Sequence, residues 1–198
     1  ALFTRKYPVT TLVLLFFLFS IIGWCWEVVL HLLSEGTFVN RGVLHGPWLP
    51  IYGTGGVLVL LTLYKLRDKP WLEFWATVAV CGVVEYFTAY YLETVYDRRW
   101  WDYAGYFLNL HGRICAEGLL VFGLGGMAVV YGVAPLFDNL LHKVRRSVLI
   151  GLCAALIALF CVDQAYSHFH PNEGEGITDE VVYKTDDARI RLDEEVFV

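Results

Sequence analysis

Three glutamates lie inside stretches of the sequence that are otherwise apolar. Glu27 follows TLVLLFFLFSIIGWCW, Glu85 follows WATVAVCGVV, and Glu117 precedes GLLVFGLGG. A carboxyl group in such surroundings can bind a cation, carry a proton or act as a general acid or base. His45, in the loop sequence HGPWLP, can exchange protons near neutral pH. These four residues are the candidates for catalysis or proton transfer.

Basic and aromatic residues occur close to these acids. Arginine can hold a phosphate or carboxylate through paired hydrogen bonds, and Trp and Tyr rings can hold an organic cation over their faces. Arg113 and Glu117 are four residues apart, which would place them on one face of a helix. We therefore predict a substrate pocket with acidic, basic and aromatic walls. Its predicted lining consists of Trp24, Glu27, Arg41, His45, Trp48, Tyr52, Glu85, Tyr86, Arg99, Trp100, Trp101, Asp102, Asn109, Arg113 and Glu117.

The elements that must position these residues are long hydrophobic segments. Of the 198 residues, 57% are hydrophobic and 18% are charged, whereas soluble domains carry about 25% charged residues. The apolar blocks approach the roughly 20 residues needed to cross a bilayer. This pattern predicts an all-α integral membrane protein with about five transmembrane helices. The predicted spans are residues 11–33, 50–66, 71–93, 114–136 and 146–166.

Two segments fall outside these spans. Residues 93–113 are too polar to face lipid, so we predict a re-entrant or interfacial segment there. The polar residues near the C-terminus predict an acidic, solvated tail. We accordingly divide the chain into a transmembrane domain, residues 1–167, and a C-terminal tail, residues 168–198.

The distribution of Lys and Arg predicts an orientation in the cell membrane. With five spans, the N-terminus and the connectors at 67–70 and 138–146 share one side, and they carry most of the basic residues outside the tail. Cytoplasmic loops are usually the more basic ones. We therefore expect a multi-pass protein with a cytoplasmic N-terminus and an extracytoplasmic C-terminus. The predicted pocket would then face outward.

Simpler roles remain open for several of these residues. Trp100 and Trp101 could belong to an aromatic belt at the membrane surface, and Arg98 and Arg99 could anchor lipid headgroups. Glu93 and Asp163 lie near span ends, where they could reach water. The acids inside the spans could also form ion pairs that only order the helices.

Several function classes lack their sequence signatures. The chain has no basic stripe of the kind that binds nucleic acid, and no P-loop, G-x-S-x-G or dinucleotide-binding motif. The five cysteines form no C-x-x-C pair and are expected to act as small hydrophobic residues, with a Cys25–Cys115 disulfide as the alternative. We predict no nucleic-acid partner, no cofactor and no metal.

Four segments carry a family resemblance. They are IGWCWEV (22–28), GTFVNRGVLHGPWLPIYGTGG (36–56), EYFTAYYLETVYDRRWWDY (85–103) and FLNLHGRICAEGLLVFG (107–123). Over about residues 21–135 the chain resembles a bacterial family labelled as putative ABC-transporter permeases, the CmpB-like group. The resemblance implies a membrane permease that works with a separate ATPase.

Three functions are compatible with these residues. The first is a small permease, in which acids and aromatic rings bind a cationic substrate and a homodimer is an open alternative to a monomer. The second is a membrane-embedded enzyme acting on a lipid or lipid-linked substrate at the outer leaflet, where arginines would hold a phosphate. The third is a non-catalytic scaffold or sensor whose tail binds a partner. We rank transport first.

Overall fold

Helices make up most of the computed structural model, which describes residues 5–180. In chain order the α-helices are α1 (Val9–Glu35), α2 (Pro50–Thr62), α3 (Pro70–Tyr96), α4 (Ala116–Ala128), α5 (Ala134–Leu141) and α6 (Arg146–Phe169). A π-helical turn, Val129–Val133, joins α4 to α5 without a break. Two short strands, β1 (Arg98–Arg99) and β2 (Asp179–Glu180), pair antiparallel, with Arg98 opposite Glu180 and Arg99 opposite Asp179.

Within residues 5–180, four helical segments are long and apolar enough to cross a membrane. They are Val9–Glu35, Pro70–Tyr96, Ala116–Leu141 and Arg146–Phe169. The predicted span 50–66 instead forms α2, which has 13 residues and is shorter than the roughly 20 needed to cross. The all-α membrane fold is confirmed, with four full-length helical segments and one short apolar helix.

Proline and glycine set several of the helix ends. Pro50 and Pro70 open α2 and α3, where a missing backbone N–H has no consequence. Gly36 ends α1 with φ of 72°, a left-handed conformation that glycine adopts without steric cost. In the segment Ala116–Leu141, Pro135 has no N–H to donate to the carbonyl of Tyr131, and the widened turn Val129–Val133 ends two residues before this proline.

Small residues allow α1 and α2 to pack closely. A Cβ atom added at Gly23 would overlap the Tyr52 ring, and one added at Gly56 would overlap the Phe19 ring. Membrane helices commonly approach each other through such small residues, because water does not drive their association. The close approach fixes the start of α2 against the second half of α1.

The loop of residues 36–49, here called the inner loop, folds back between the helices. Its last residue, Leu49, donates its N–H to the carbonyl of Ser20, in the middle of α1, at 2.9 Å. Leu44 and Trp48 are buried and pack in one cluster with Phe17. Protein surrounds these residues, which is the condition under which membrane proteins tolerate non-helical backbone between their helices. The sequence predicted a re-entrant or interfacial segment only at 93–113, so the inward fold of the inner loop was not predicted.

A second loop covers the same end of the helices. Residues 97–115, here called the capping loop, follow α3 and lead into α4. The chain after α6 also returns to this end, because Asn172 donates from Nδ2 to the carbonyls of Asn40 and Gly42 at 2.8 and 3.0 Å. The rest of the predicted tail, residues 181–198, lies outside the described residues.

The five cysteines are all free, with Cys25 exposed and Cys115 buried. The alternative of a Cys25–Cys115 disulfide is therefore wrong. Cys153 packs in an apolar cluster with Leu14 and Leu141, as expected of a small hydrophobic residue.

Candidate functional site

The predicted site residues come together at one end of the helices. The C-terminal halves of α1, α3 and α6 meet the N-terminal ends of α2 and α4 there, and the inner and capping loops lie over them. This meeting point, here called the site end, arises because successive helices alternate in direction. Residues far apart in the sequence can therefore share it.

Glu27 and Arg41 form an ion pair at the site end. The Nε atom of Arg41 lies 3.5 Å from Oε2 of Glu27, and the side chains are 17% and 31% exposed respectively. The hydroxyl of Tyr52 donates to Oε1 of Glu27 at 2.9 Å. Arg41 also donates to the carbonyl of Trp100 at 3.1 Å and to that of Gly176 at 2.7 Å. The pair thus joins α1, α2, both loops and the chain after α6.

Glu85 lies deeper than Glu27 and is almost fully buried. The hydroxyl of Tyr103, from the capping loop, donates to its Oε1 atom at 3.0 Å. Its Oε2 atom has no hydrogen-bond partner within residues 5–180. Burial and the nearby Glu85 carboxyl raise the pKa of Tyr103 well above its usual range. The phenol therefore stays a donor throughout the neutral pH range.

Glu93, in the last turn of α3, holds two arginines of the capping loop. Its Oε1 atom lies 3.0 Å from Nε of Arg99, and its Oε2 atom lies 2.7 Å from Nη2 of Arg113. Arg113 also donates to the hydroxyl of Tyr86 at 2.9 Å, and its guanidinium lies 5.1 Å from the ring centres of Tyr86 and Tyr90. The hydrogen bond that Arg113 donates to Glu93 is the main cause that raises the pKa of Arg113.

Asp163 of α6 anchors the inner loop. Its carboxylate accepts the backbone N–H groups of His45 and Gly46 at 3.1 and 2.8 Å and the indole N–H of Trp48 at 2.7 Å. The hydroxyl of Ser167 donates to the same carboxylate at 2.9 Å. Four donors converge on one carboxylate, an arrangement that fixes the loop strongly because hydrogen bonds to a charged acceptor are the stronger ones.

Ser167, His45 and Asp163 do not form a nucleophilic triad. His45 contacts the Ser167 hydroxyl through Nδ1 at 2.9 Å, and that hydroxyl in turn binds Asp163. In a triad the acid orients the imidazole, and the imidazole takes the proton of the hydroxyl through its other nitrogen. Ser167 is also buried. This cluster therefore positions the inner loop.

A cavity of about 190 Å³ lies between the inner loop, α1, α3 and α6. Glu27 and Arg41 supply its charged groups, and aromatic and aliphatic side chains supply most of the rest. The wall also includes Gly42, Val43, Leu44, Leu49, Pro50, Ile51, Thr88, Tyr91, Leu92, Tyr96, Trp100, Trp101, Gln164 and Ser167. The arrangement offers one carboxylate and one guanidinium beside several aromatic rings.

The predicted residues divide into groups by position. Glu27, Arg41, Trp100 and Trp101 line the cavity. Other predicted residues hold the surrounding loops and helix ends through the hydrogen bonds and ion pairs that they make: Trp24, His45, Trp48, Tyr52, Tyr86, Arg99, Asp102, Asn109 and Arg113. Glu85 lies behind the cavity with Tyr103.

Glu117 is the exception. It is exposed on α4, and the expected shared helical face with Arg113 does not exist, because α4 begins at Ala116 and Arg113 precedes it. Arg113 binds Glu93 instead. The four-residue spacing was therefore misleading at a helix start.

Several residues that shape the site were not predicted from the sequence. Tyr91 and Tyr96 line the cavity from α3, and Gln164 does so from α6. Asp163 was expected to reach water, but it anchors the inner loop. A signal existed for Asp163, because a lone acid in an apolar helix generally has a partner.

The described residues contain no group of three or more His, Cys, Asp or Glu side chains close enough to hold a metal ion. A family model described as "Putative ABC-transporter type IV" matches residues 14–168. The match extends beyond the expected 21–135 in both directions and includes α6. No curated protein and no solved structure matches the chain.

Proposed function

The chain belongs to the putative ABC-transporter type IV family, and from this premise we propose that it is a membrane permease that binds its substrate in the cavity beside Glu27 and Arg41. The observation that carries the proposal is the composition of the cavity wall. Opposite charges lie 3.5 Å apart on a wall that is otherwise mainly apolar and aromatic. Small-molecule sites commonly combine apolar walls with a few fixed polar groups.

The wall favours a small solute that carries an ammonium group. Glu27 can pair with the cation, and the neighbouring rings of Tyr91, Tyr96 and Trp101 can contact its alkyl groups and its charge. Arg41 can bind a carboxylate on the same solute, so a zwitterion can replace the internal ion pair. The cavity, at about 190 Å³, is below the roughly 300–1,000 Å³ typical of drug-sized ligands. A small molecule or headgroup fits this volume better than a whole lipid.

The proposal also includes an energy source for transport and a second copy of the chain to complete the transport path. The family description implies a separate ATPase that drives transport. Four full-length helices are few to enclose a path across the bilayer, and a second copy of the chain would supply further helices. By the basic-loop rule we place the cavity toward the extracytoplasmic side of the cell membrane, with a cytoplasmic N-terminus.

The geometry favours transport over lipid chemistry. An enzyme that acts on a phospholipid needs arginines with donors directed at the phosphate. Arg99 and Arg113 already bind Glu93, and the Asp163 cluster holds the inner loop. Arg41 is the arginine on the cavity wall. A single arginine beside an acid suits reversible binding of a charged solute.

A binding measurement on the purified protein in lipid nanodiscs tests this proposal. The probes are choline, tetramethylammonium and glycine betaine, and the readout is calorimetric titration. We expect Glu27→Gln to weaken binding by about 10-fold or more, because one charge-assisted contact is worth about 1.5–3 kcal/mol. The matched control is Glu35→Gln, at the exposed end of the same helix.

Two outcomes would contradict the proposal. If none of the three probes binds to the wild type, the cavity is not a site for small ammonium compounds. If Glu27→Gln and Glu35→Gln bind equally well, binding occurs elsewhere. If the probes do bind at the cavity, an uptake assay separates transport from binding alone. Cells that express the protein should take up radiolabelled probe, and Glu27→Gln should reduce this uptake.

A further inference from the structure

A stripe of polar residues runs along the buried face of α3. Glu73, Thr77, Cys81 and Glu85 follow one another at intervals of four residues. This spacing places each side chain next to the following one, along a line that turns by about 40° per step around the helix. Glu73 and Thr77 are 0% exposed and Glu85 is 3% exposed. At about 1.5 Å per residue the stripe extends roughly 18 Å along the axis, which is more than half of the bilayer core.

Neighbouring helices keep the stripe away from lipid. Gly126 of α4 lies so close that an added Cβ atom would overlap the Thr77 side chain. A Cβ atom added at Gly55 of α2 would lie 3.6 Å from Sγ of Cys81. Polar and ionisable residues within membrane helices usually face the protein interior, and they commonly mark ion or proton pathways.

Several polar atoms of the stripe have no geometrically good hydrogen bond within residues 5–180. They are both carboxylate oxygens of Glu73, Oγ1 of Thr77 and Oε2 of Glu85, and none of them reaches solvent. Because about 90% or more of buried polar groups in proteins are paired, these unpaired carboxylate oxygens along one helix need an explanation. The other oxygen of Glu85 accepts the hydroxyl of Tyr103, and Glu73 lies close to Thr77 and Arg67. A buried carboxylate that has few donors is stabilised when it binds a proton, because neutralisation removes the cost of a poorly compensated charge.

The two ends of the stripe lie near different surroundings. Arg67, in the connector before α3, and Tyr131, in the π-helical turn, face Glu73. Glu85 lies among the titratable groups Glu27, Tyr52, Cys81, Tyr103 and Cys115. The Glu85 end therefore approaches the cavity, and the Glu73 end approaches the basic connector. π-helical turns within α-helices also occur frequently at functional sites.

We propose that this stripe relays protons along α3 between the connector end of the protein and the cavity. A proton binds a carboxylate oxygen of Glu73, passes by way of the Thr77 hydroxyl and the Cys81 thiol to Oε2 of Glu85, and leaves toward Glu27. Each group returns to its starting protonation state, so no bond other than those to the proton changes. Four residues correspond to about 6 Å along the axis, a gap that a side-chain rotation or one bridging water spans.

The relay does not depend on which solute the cavity binds. If the protein moves a charged solute, proton transfer through the same region offers a way to couple that movement to a pH gradient. If the cavity binds no ammonium compound, the relay can still be present. The two proposals can therefore fail separately, and the experiment below contains no solute.

Proton flux into liposomes tests the relay. The full chain is reconstituted around a trapped pH-sensitive dye, a pH step is applied, and potassium with valinomycin removes any membrane potential. We expect wild-type liposomes to equilibrate several-fold faster than empty liposomes. Glu73→Gln and Glu85→Gln should each return the rate to that of empty liposomes. Glu35→Gln, an exposed acid on α1, should keep the wild-type rate.

Chemical labelling supplies a second, independent readout. Dicyclohexylcarbodiimide modifies protonated carboxyl groups in apolar surroundings, and peptide mass spectrometry locates the adducts. We expect adducts on Glu73 and Glu85 in the wild type. Thr77→Val, which removes a hydroxyl with little change of shape, should slow the flux and keep both adducts. This variant covers the case in which a glutamine variant fails to fold.

Two results would overturn the relay. One is a wild-type flux equal to that of empty liposomes. The other is a flux that Glu73→Gln, Glu85→Gln and Thr77→Val all leave unchanged. Elution of each variant as a single species in size-exclusion chromatography is required before its flux is compared.

Discussion

The carboxylate of Asp163 accepts the indole N–H of Trp48 at 2.7 Å, which fastens the inner loop to α6. Asp163 also accepts three further hydrogen bonds, two of them from backbone N–H groups of the same loop. One side chain of α6 therefore determines where the inner loop sits. Since that loop forms one wall of the cavity, the position of α6 and the shape of the cavity are linked.

Asp163→Asn should destabilise the protein by about 2 kcal/mol or more, because the amide presents N–H groups to donors and removes the negative charge. Ser167→Ala removes one of the four hydrogen bonds and should cost about 1 kcal/mol. Thermal unfolding in detergent, followed by the reactivity of the buried thiols of Cys115 and Cys153, gives the ranking. Equal midpoints for wild type and Asp163→Asn would show that the loop is held by its apolar contacts.

Gly23→Ala should disrupt the packing of α1 on α2, because the added Cβ overlaps the Tyr52 ring. Moving Tyr52 also breaks its hydrogen bond to Glu27, so both the thermal midpoint and probe binding should fall. The matched control is Gly151→Ala on α6, where a Cβ meets nothing within 4 Å. That substitution should be neutral or stabilising by up to about 1 kcal/mol, since alanine favours helix more than glycine does. Equal losses in the two variants would contradict this explanation.

Glu93→Gln should loosen the capping loop. The substitution leaves Arg99 and Arg113 without the charge that both now bind, so the loop should open more often. Limited trypsin digestion measures this opening, because cleavage after these arginines requires an accessible, extended backbone. We expect several-fold faster cleavage between residues 98 and 113 than in the wild type. Glu35→Gln serves as the control, and an unchanged digestion pattern in Glu93→Gln would refute the role of Glu93.

The predicted orientation can be measured with a membrane-impermeant maleimide on intact cells. In a background carrying Cys25→Ala and Cys161→Ala, which removes the two exposed thiols, Glu175→Cys should react from outside. Asp68→Cys, in the exposed connector before α3, should react only after the cells are permeabilised. The reverse pattern would place the cavity toward the cytoplasm.

The helical spans could be read from the sequence because hydrophobic length is a local property. The predicted 71–93 and 146–166 correspond to α3 (Pro70–Tyr96) and α6 (Arg146–Phe169) with small shifts at the ends. The observed helix ends differ from the predicted ones where capping residues determine the end of a helix. The predicted 50–66 became the 13-residue α2, which ends before the connector.

The partners of the acids could not be read in the same way, because they depend on contacts between distant residues. Glu93 binds Arg113, which is 20 residues further along the chain, and Asp163 binds the N–H of Gly46, which is 117 residues before it. Glu73 escaped notice because it lies three residues after Pro70, next to the basic connector, and resembles an ordinary charge at a helix start. Only the fold shows that Glu73 is buried, with Tyr131 of the π-helical turn close to it.

Asp163 and the inner loop are in contact but far apart in the sequence, and this has a consequence for biosynthesis. Residues 36–49 leave the ribosome long before α6, since Gly46 and its anchor are 117 residues apart. The inner loop therefore waits for α6 to be inserted before it can take its final position. A nascent chain that lacks α6 therefore lacks the group that fixes the inner loop, and its cavity is incomplete.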